Sequence, residues 1–222
     1  MELNDVMRTT FAAREFTGED VPDAIIPDLI ENARFAPSGG NRQGNRVIVV
    51  RDAGTRDALA TLAEPAAKRY VAQSKLGESP WNAVTPTKAT ATEIEATPAA
   101  PMLVNSFRDA SVVLVFVVDL RVVASMDQDL DRIGMISGAS IYPFVWNVLM
   151  GARQAGFGGT ITTLAVAREA DVQKLLNIPA EFAVAAVVPL GKPVKQLTKL
   201  RRKSVEEIAS RESFDGPQFK KY

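Results

Sequence analysis

The most concentrated chemistry in this chain lies in eight consecutive residues, Ala36-Pro37-Ser38-Gly39-Gly40-Asn41-Arg42-Gln43. Glycine lets the main chain approach a ligand closely, and Ser38, Asn41 and Gln43 add side-chain donors and acceptors. Such a loop suits a flat heterocycle with carbonyl and imide edges. It suits equally a polar turn that ends a helix on glycine, and composition does not separate the two. Absences narrow the chemistry further. The chain has no His and no Cys, which removes disulfides, thiol nucleophiles, Cys/His zinc sites and Ser-His-Asp triads. The usual general base near neutral pH is also missing. An enzyme built this way needs Asp/Glu pairs, Lys, Tyr or a borrowed cofactor, which brings chemistry that no side chain has to supply.

Lys+Arg and Asp+Glu each number 26, so the basic excess of a nucleic-acid binder is absent. No apolar run reaches the roughly 18 residues of a membrane span. The longest, Val112 to Val118, is strand-sized. The start, Met1-Glu2-Leu3-Asn4-Asp5, is acidic and lacks the regions of a signal peptide. The expectation is a cytoplasmic protein that meets neither nucleic acid nor membrane.

The elements that must position the loop follow from periodicity. Residues 2–8 form a short helix. Val21 to Ala36 is a clearer one, with Asp23 as its cap and Pro27 in its first turn. Arg46 to Arg51 is a strand, and Thr55 to Leu62 returns to helical spacing. From Glu64 to Ser106 the chain is rich in Ala, Thr and Pro and poorly periodic. This reads as an irregular insertion with short helices, either a lid over a site or a surface excursion. Tyr70, Trp81 and Lys88 within it either meet a substrate or simply pack. Val112 to Asp119 is a central strand covered on both faces. Ile133 to Ala155 is a long helix, kinked at Pro143 and apolar nearly all round. That helix either meets a second subunit or is buried in its own domain. Gly156-Phe157-Gly158-Gly159 stops it. A helix over Arg168 to Leu176 and a strand over Ala183 to Pro189 complete one domain of 222 residues, with a polar extension from about Lys199. Phe214 and Phe219 suggest that the extension docks, on a second subunit for example. The order fits an α+β sandwich.

The Ala36–Gln43 segment closely resembles the alanine-proline-serine, asparagine, glutamine signature of the FMN-dependent nitroreductase family. Arg14-Glu15-Phe16 with Val21-Pro22, the Val112 strand, the Ile133 helix, Gly156–Gly159 and Gly191-Lys192-Pro193 follow in that family's order. The basic run Lys199-Leu200-Arg201-Arg202-Lys203 resembles its C-terminal phosphate-binding region. The resemblance implies an α/β/α sandwich with a mixed, mostly antiparallel central sheet, and a homodimer with FMN at the interface. It places Arg14 at the flavin's pyrimidine edge or ribityl chain. Ser38, Gly39, Asn41 and Gln43 would line the isoalloxazine and ribityl groups. Ile161, Thr162 and Thr163 would lie beside the ring near N5, and Arg202 with Arg201 would hold the 5′-phosphate. Flavin N5 would carry the chemistry, with no catalytic side chain. NADH or NADPH would deliver hydride to it, and a nitroaromatic, quinone or activated alkene would then remove two electrons. Related outcomes are dehalogenation, dehydrogenation, or flavin binding and buffering without turnover. The chain departs from the family at Thr10-Phe11-Ala12, where relatives carry Arg-Arg-Ser, leaving Arg8, Thr9 and Thr10 as substitutes. It departs again at Gly44-Asn45, where proline-tryptophan is common.

Overall fold

The computed structural model describes residues 1–219. In chain order its elements are α1 (Leu3–Thr9), α2 (Ile25–Ala33), β1 (Asn45–Val50), α3 (Ala53–Lys75), α4 (Ala91–Ala96), α5 (Pro101–Asp109), β2 (Val112–Asp119), α6 (Tyr142–Gln154), β3 (Gly158–Gly159), α7 (Glu169–Leu176) and β4 (Phe182–Gly191). β2 is apolar at every position but its last, so it needs cover on both faces. It receives that cover from two separate cores. Val113, Val115 and Val117 point into one, with Leu59, Ala63, Phe107 and Val172 of α3, α5 and α7. Val112, Leu114 and Phe116 point into the other, with Leu29, Phe144, Val148 and Leu149 of α2 and α6. The period-two alternation of a strand therefore builds an α/β/α sandwich.

The sheet order is β1-β2-β4-β3 and every strand pairing is antiparallel. Among the described residues, parallel pairing is confined to one isolated bridge, Ala12 with Gly159. A bulge in β4 leaves Ala185 unpaired between Val184 and Ala186. The Tyr142 hydroxyl donates to its carbonyl at 3.2 Å.

Four expectations need correction. The segment 64–106 is not irregular throughout, because residues 64–75 complete α3. Pro65 removes a backbone donor, yet Ala60, Ala63, Ala66 and Ala67 bury a continuous face that outweighs the loss. The helix expected from Ile133 starts only at Tyr142, and Pro143 sits in its first turn without kinking it. α6 also buries one face in its own domain, against α2 and the sheet. Asp23 caps nothing, because its carboxylate accepts from Arg51 Nε at 2.6 Å.

Residues 123–141 link β2 to α6, and one buried carboxylate organises them. Asp127 accepts from the Met135 N–H at 2.8 Å and from Arg132 Nη1 at 2.7 Å. The Met135 bond, then Arg132 and the Ile136 N–H, outweigh burial and lower the carboxyl's pKa to about 2. The depressed pKa sets the sign of the linkage. Asp127 contributes its full stability above the ordinary carboxylate range and loses it as pH falls toward 2. Wild type and Asp127→Asn should therefore differ in unfolding midpoint by a constant amount from pH 7 to pH 5. That difference should shrink below pH 4 in acid-titrated urea melts. A gap that persists at pH 2 would show that the carboxylate does not anchor this link.

Candidate functional site

Three glycines allow close packing at the β3–β4 edge, two of them against the N-terminal segment. A Cβ at Gly159 would lie 2.5 Å from the Pro189 carbonyl oxygen, and one at Gly158 2.9 Å from the Pro193 ring. A Cβ at Gly191 would lie 2.8 Å from the Phe16 ring. Without those side chains, residues 13–17 lie directly against the edge. The Ala13 N–H donates to Gly159 O at 3.0 Å, Thr17 N–H to Lys192 O at 2.9 Å, and Val194 N–H to Glu15 O at 3.0 Å. Arg14 sits within this ladder. Its side chain shares a cavity of about 520 Å³ with Thr160, Ile161, Thr162 and Thr163.

The cavity has an apolar floor and a few converging polar groups, the usual make-up of a small-molecule site. Ile161, Leu103 and Leu164 supply apolar surface, and Arg14 is its one charged residue. Glu19, the acid expected to pair with a surface Arg14, instead lies 3.9 Å from Lys192. Arg14 makes only a 3.5 Å contact with the Ala12 carbonyl. Ser106 and Thr160 also line the cavity, at 2% and 3% exposure. Neither hydroxyl has a hydrogen-bond partner among the described residues. Neither is an orphaned buried group, so both hydroxyls are open to the cavity they line. Thr162 is fixed by two main-chain bonds to Val187 at 2.9 Å. A guanidinium, free hydroxyls and an apolar floor together suit a flat heterocycle with carbonyl edges.

The other expected residues lie elsewhere on the chain. Ser38 and Gln43 line a separate cavity of about 240 Å³ beside Phe144. Gly39 and Asn41 sit in the exposed turn between them. Gly40, Asn41 and Gln43 all adopt left-handed φ, at 60°, 53° and 51°. The turn is held by the Gly39 N–H to Ser140 Oγ and the Gln43 N–H to Ser38 Oγ, both at 3.0 Å. It leads into β1, one edge of the sheet, whereas Thr160–Thr163 follow β3 at the other edge. Three strand spacings separate those edges, on the order of 14 Å. Within one chain the turn and the large cavity are not brought together.

Arg202 lines a third cavity, of about 320 Å³, with Arg8 and Lys199. Arg201 does not line it, and the Arg201 carbonyl accepts from Arg202 Nη1 at 2.8 Å. Thr9 and Thr10 are not free donors. Their hydroxyls donate to the Asp5 and Val6 carbonyls within α1, at 2.6 and 2.7 Å. Tyr70 and Trp81 line the large cavity, and Lys88 does not. Ser106 and Thr160 escaped the sequence reading. Ser106 lies mid-helix with no local signal, and Thr160 was visible only as the neighbour of residues named by resemblance.

Hydroxyls without protein partners have a measurable consequence. Ser106→Ala and Thr160→Val should leave the ligand-free protein within about 0.5 kcal/mol of wild type in urea unfolding. Thr10→Val, which loses a made bond, should cost about 1 kcal/mol. A comparable loss in the first two variants would show that those hydroxyls serve the fold.

Comparison with known proteins agrees with the layout. The chain resembles iodotyrosine deiodinase bound to FMN and 3-iodo-L-tyrosine at 19% identity and TM-score 0.69, covering 96% of this chain and 100% of the other. It resembles the NADPH:FMN oxidoreductase of Vibrio harveyi, complexed with NAD+, at 18% identity and TM-score 0.67, covering 96% and 77%. It resembles a BluB-like flavoprotein of Clostridium difficile at 19% identity and TM-score 0.68, covering 95% and 98%. At these identities the likeness concerns the fold. The nitroreductase family profile, by contrast, matches the sequence itself over residues 7–192, and this chain belongs to the nitroreductase family.

Proposed function

We propose that this protein is an FMN-dependent oxidoreductase that works as a homodimer, taking electrons from a reduced nicotinamide and passing them to a small organic acceptor. One observation carries the reading: a cavity lined by Arg14, which has no ion pair among the described residues, and by the Ser106, Thr160 and Thr162 side chains lies on the sheet edge opposite the family's signature turn. Bound FMN supplies two-electron chemistry at its N5, which suits a chain without His or Cys. The residues present fit it. Arg14 and the Ser106, Thr160 and Thr162 side chains would hold its polar edges, and Ile161 and Leu164 would give its ring apolar surface. Arg8, Lys199 and Arg202 converge without an ion pair among the described residues and suit the phosphate. Arginine meets phosphate oxygens in pairs. Arg8 thereby compensates for the missing Arg-Arg-Ser.

The homodimer follows from the same geometry. A two-fold axis makes one patch meet itself, so the Ser38–Gln43 turn of one protomer can close the cavity of its partner. Met126, Leu130, Ile133, Met135 and Ile136 leave an apolar run exposed on the link before α6. Contiguous exposed apolar surface of this kind marks an interface. Phe214 is 102% exposed, so the extension does not bury it against its own chain.

A second reading is a flavin-binding or flavin-buffering protein without turnover. It is favoured by Thr9 and Thr10, whose hydroxyls are committed within α1 at the end that faces the phosphate place. One titration series addresses both. The protein should take up FMN with a yellow spectrum that bleaches on anaerobic addition of NADH or NADPH. FMN should bind roughly tenfold or more tightly than riboflavin, which lacks the phosphate, and Arg8→Met and Arg202→Met should each erase most of that preference. Tight FMN binding with no bleaching by either nicotinamide would select the buffering reading. Failure to take up FMN would end both.

A further inference from the structure

We propose, resting on the FMN reading above, that the outer wall of the large cavity selects a planar aromatic anion, stacked on Trp81 and charge-balanced by Arg69. Trp81 adopts a left-handed backbone, φ 56°. That conformation is costly for a bulky residue and persists only where its surroundings over-determine it. Three ties do so. The Trp81 N–H donates to Oε1 of the buried Gln73 at 3.0 Å. The indole N–H donates to the Ala66 carbonyl at 3.4 Å. The Arg69 guanidinium lies 4.2 Å from the ring centroid. Packing alone does not require such an arrangement, because the side chain so fixed is still 43% exposed and lines the cavity. One ring face is taken by Arg69, so the other is the face on offer to a planar ligand.

Arg69 stands behind Trp81 and outside the lining, in which Arg14 is the one charged residue. Arg69 forms no ion pair among the described residues, and its Nε is buried without a hydrogen-bond partner. A partly desolvated cation without a counter-ion is unfavourable until an anion arrives. No Asp or Glu lines the cavity. A guanidinium behind the indole also drains the negative potential of the ring's open face. Both effects favour a ring that carries a carboxylate over a neutral ring of the same shape. Tyr70 and Pro80 line the same cavity.

The test uses the FMN-loaded protein and two probes, 4-nitrobenzoate and 4-nitrobenzamide, which share a ring and a nitro group and differ in charge. Dissociation constants are read from the perturbation of the bound flavin's visible spectrum, and kcat/KM is measured with NADH. Wild type should bind the benzoate about tenfold more tightly than the amide at low ionic strength. Arg69→Met should abolish the preference and Arg69→Lys should retain part of it. Trp81→Leu should weaken both probes by about tenfold, the scale of a lost stacking contact. Equal affinities in wild type, or a preference that survives Arg69→Met, would overturn the proposal. FMN content and anaerobic reduction are measured on every variant. Normal loading and reduction with no charge preference would overturn this inference alone, and failure to load FMN would overturn it together with the reading it rests on.

Discussion

The whole site depends on one close approach of main chain to main chain. The Ala13 amide reaches the Gly159 carbonyl beside Gly158, where a side chain would crowd Pro193 and Ala13. The same contact sets the reach of Arg14 and aligns Thr160 to Thr163 beside it. Gly191 serves the same purpose one strand over, where Phe16 occupies the space that a Cβ would need. Overpacking such a contact displaces backbone instead of a flexible side chain. The glycine-rich segments are therefore structural devices whose product is a binding cavity, and their helix-stopping role is secondary.

The proposed second subunit answers to the same geometry. The sheet has its ligand-lining strand at one edge and its signature turn at the other, with two buried cores between them. No rearrangement within one chain can bring the two edges together without breaking β2. The apolar link before α6 lies on the side of the turn, since Ser140 binds both Gly39 and Asn45. The buried Asp127 fixes that link, so an exposed apolar surface is presented in a defined shape and not as a loose loop.

Much of this was legible in the sequence, and the losses have physical causes. β2 and β4 read clearly because strands covered on both faces are apolar at almost every position. The Ala36–Gln43 turn read clearly because two of its three left-handed residues are Gly40 and Asn41, types that tolerate that conformation. α3 did not, because Pro65 is a local breaker that tertiary packing of alanines overrides. The start of α6 did not, because residues 133–141 are apolar for a surface and not for a helix. Asp23 looked like a cap only while its distant partner Arg51 was out of view. Ser106 gained meaning only from residues far away in sequence, and no local pattern could single it out. Trp81 was visible as an aromatic, but its strained backbone and its cation were not.

The central claim is that each ligand site is shared between two copies of the chain. Differently tagged chains carrying Gly39→Trp, which obstructs the turn, and Thr163→Trp, which obstructs the cavity, can be produced separately and together. Each variant alone should load almost no FMN. The mixed dimer, purified through both tags, should load one FMN per two chains, because one of its sites pairs an intact turn with an intact cavity. A mixed dimer that loads none would contradict the account.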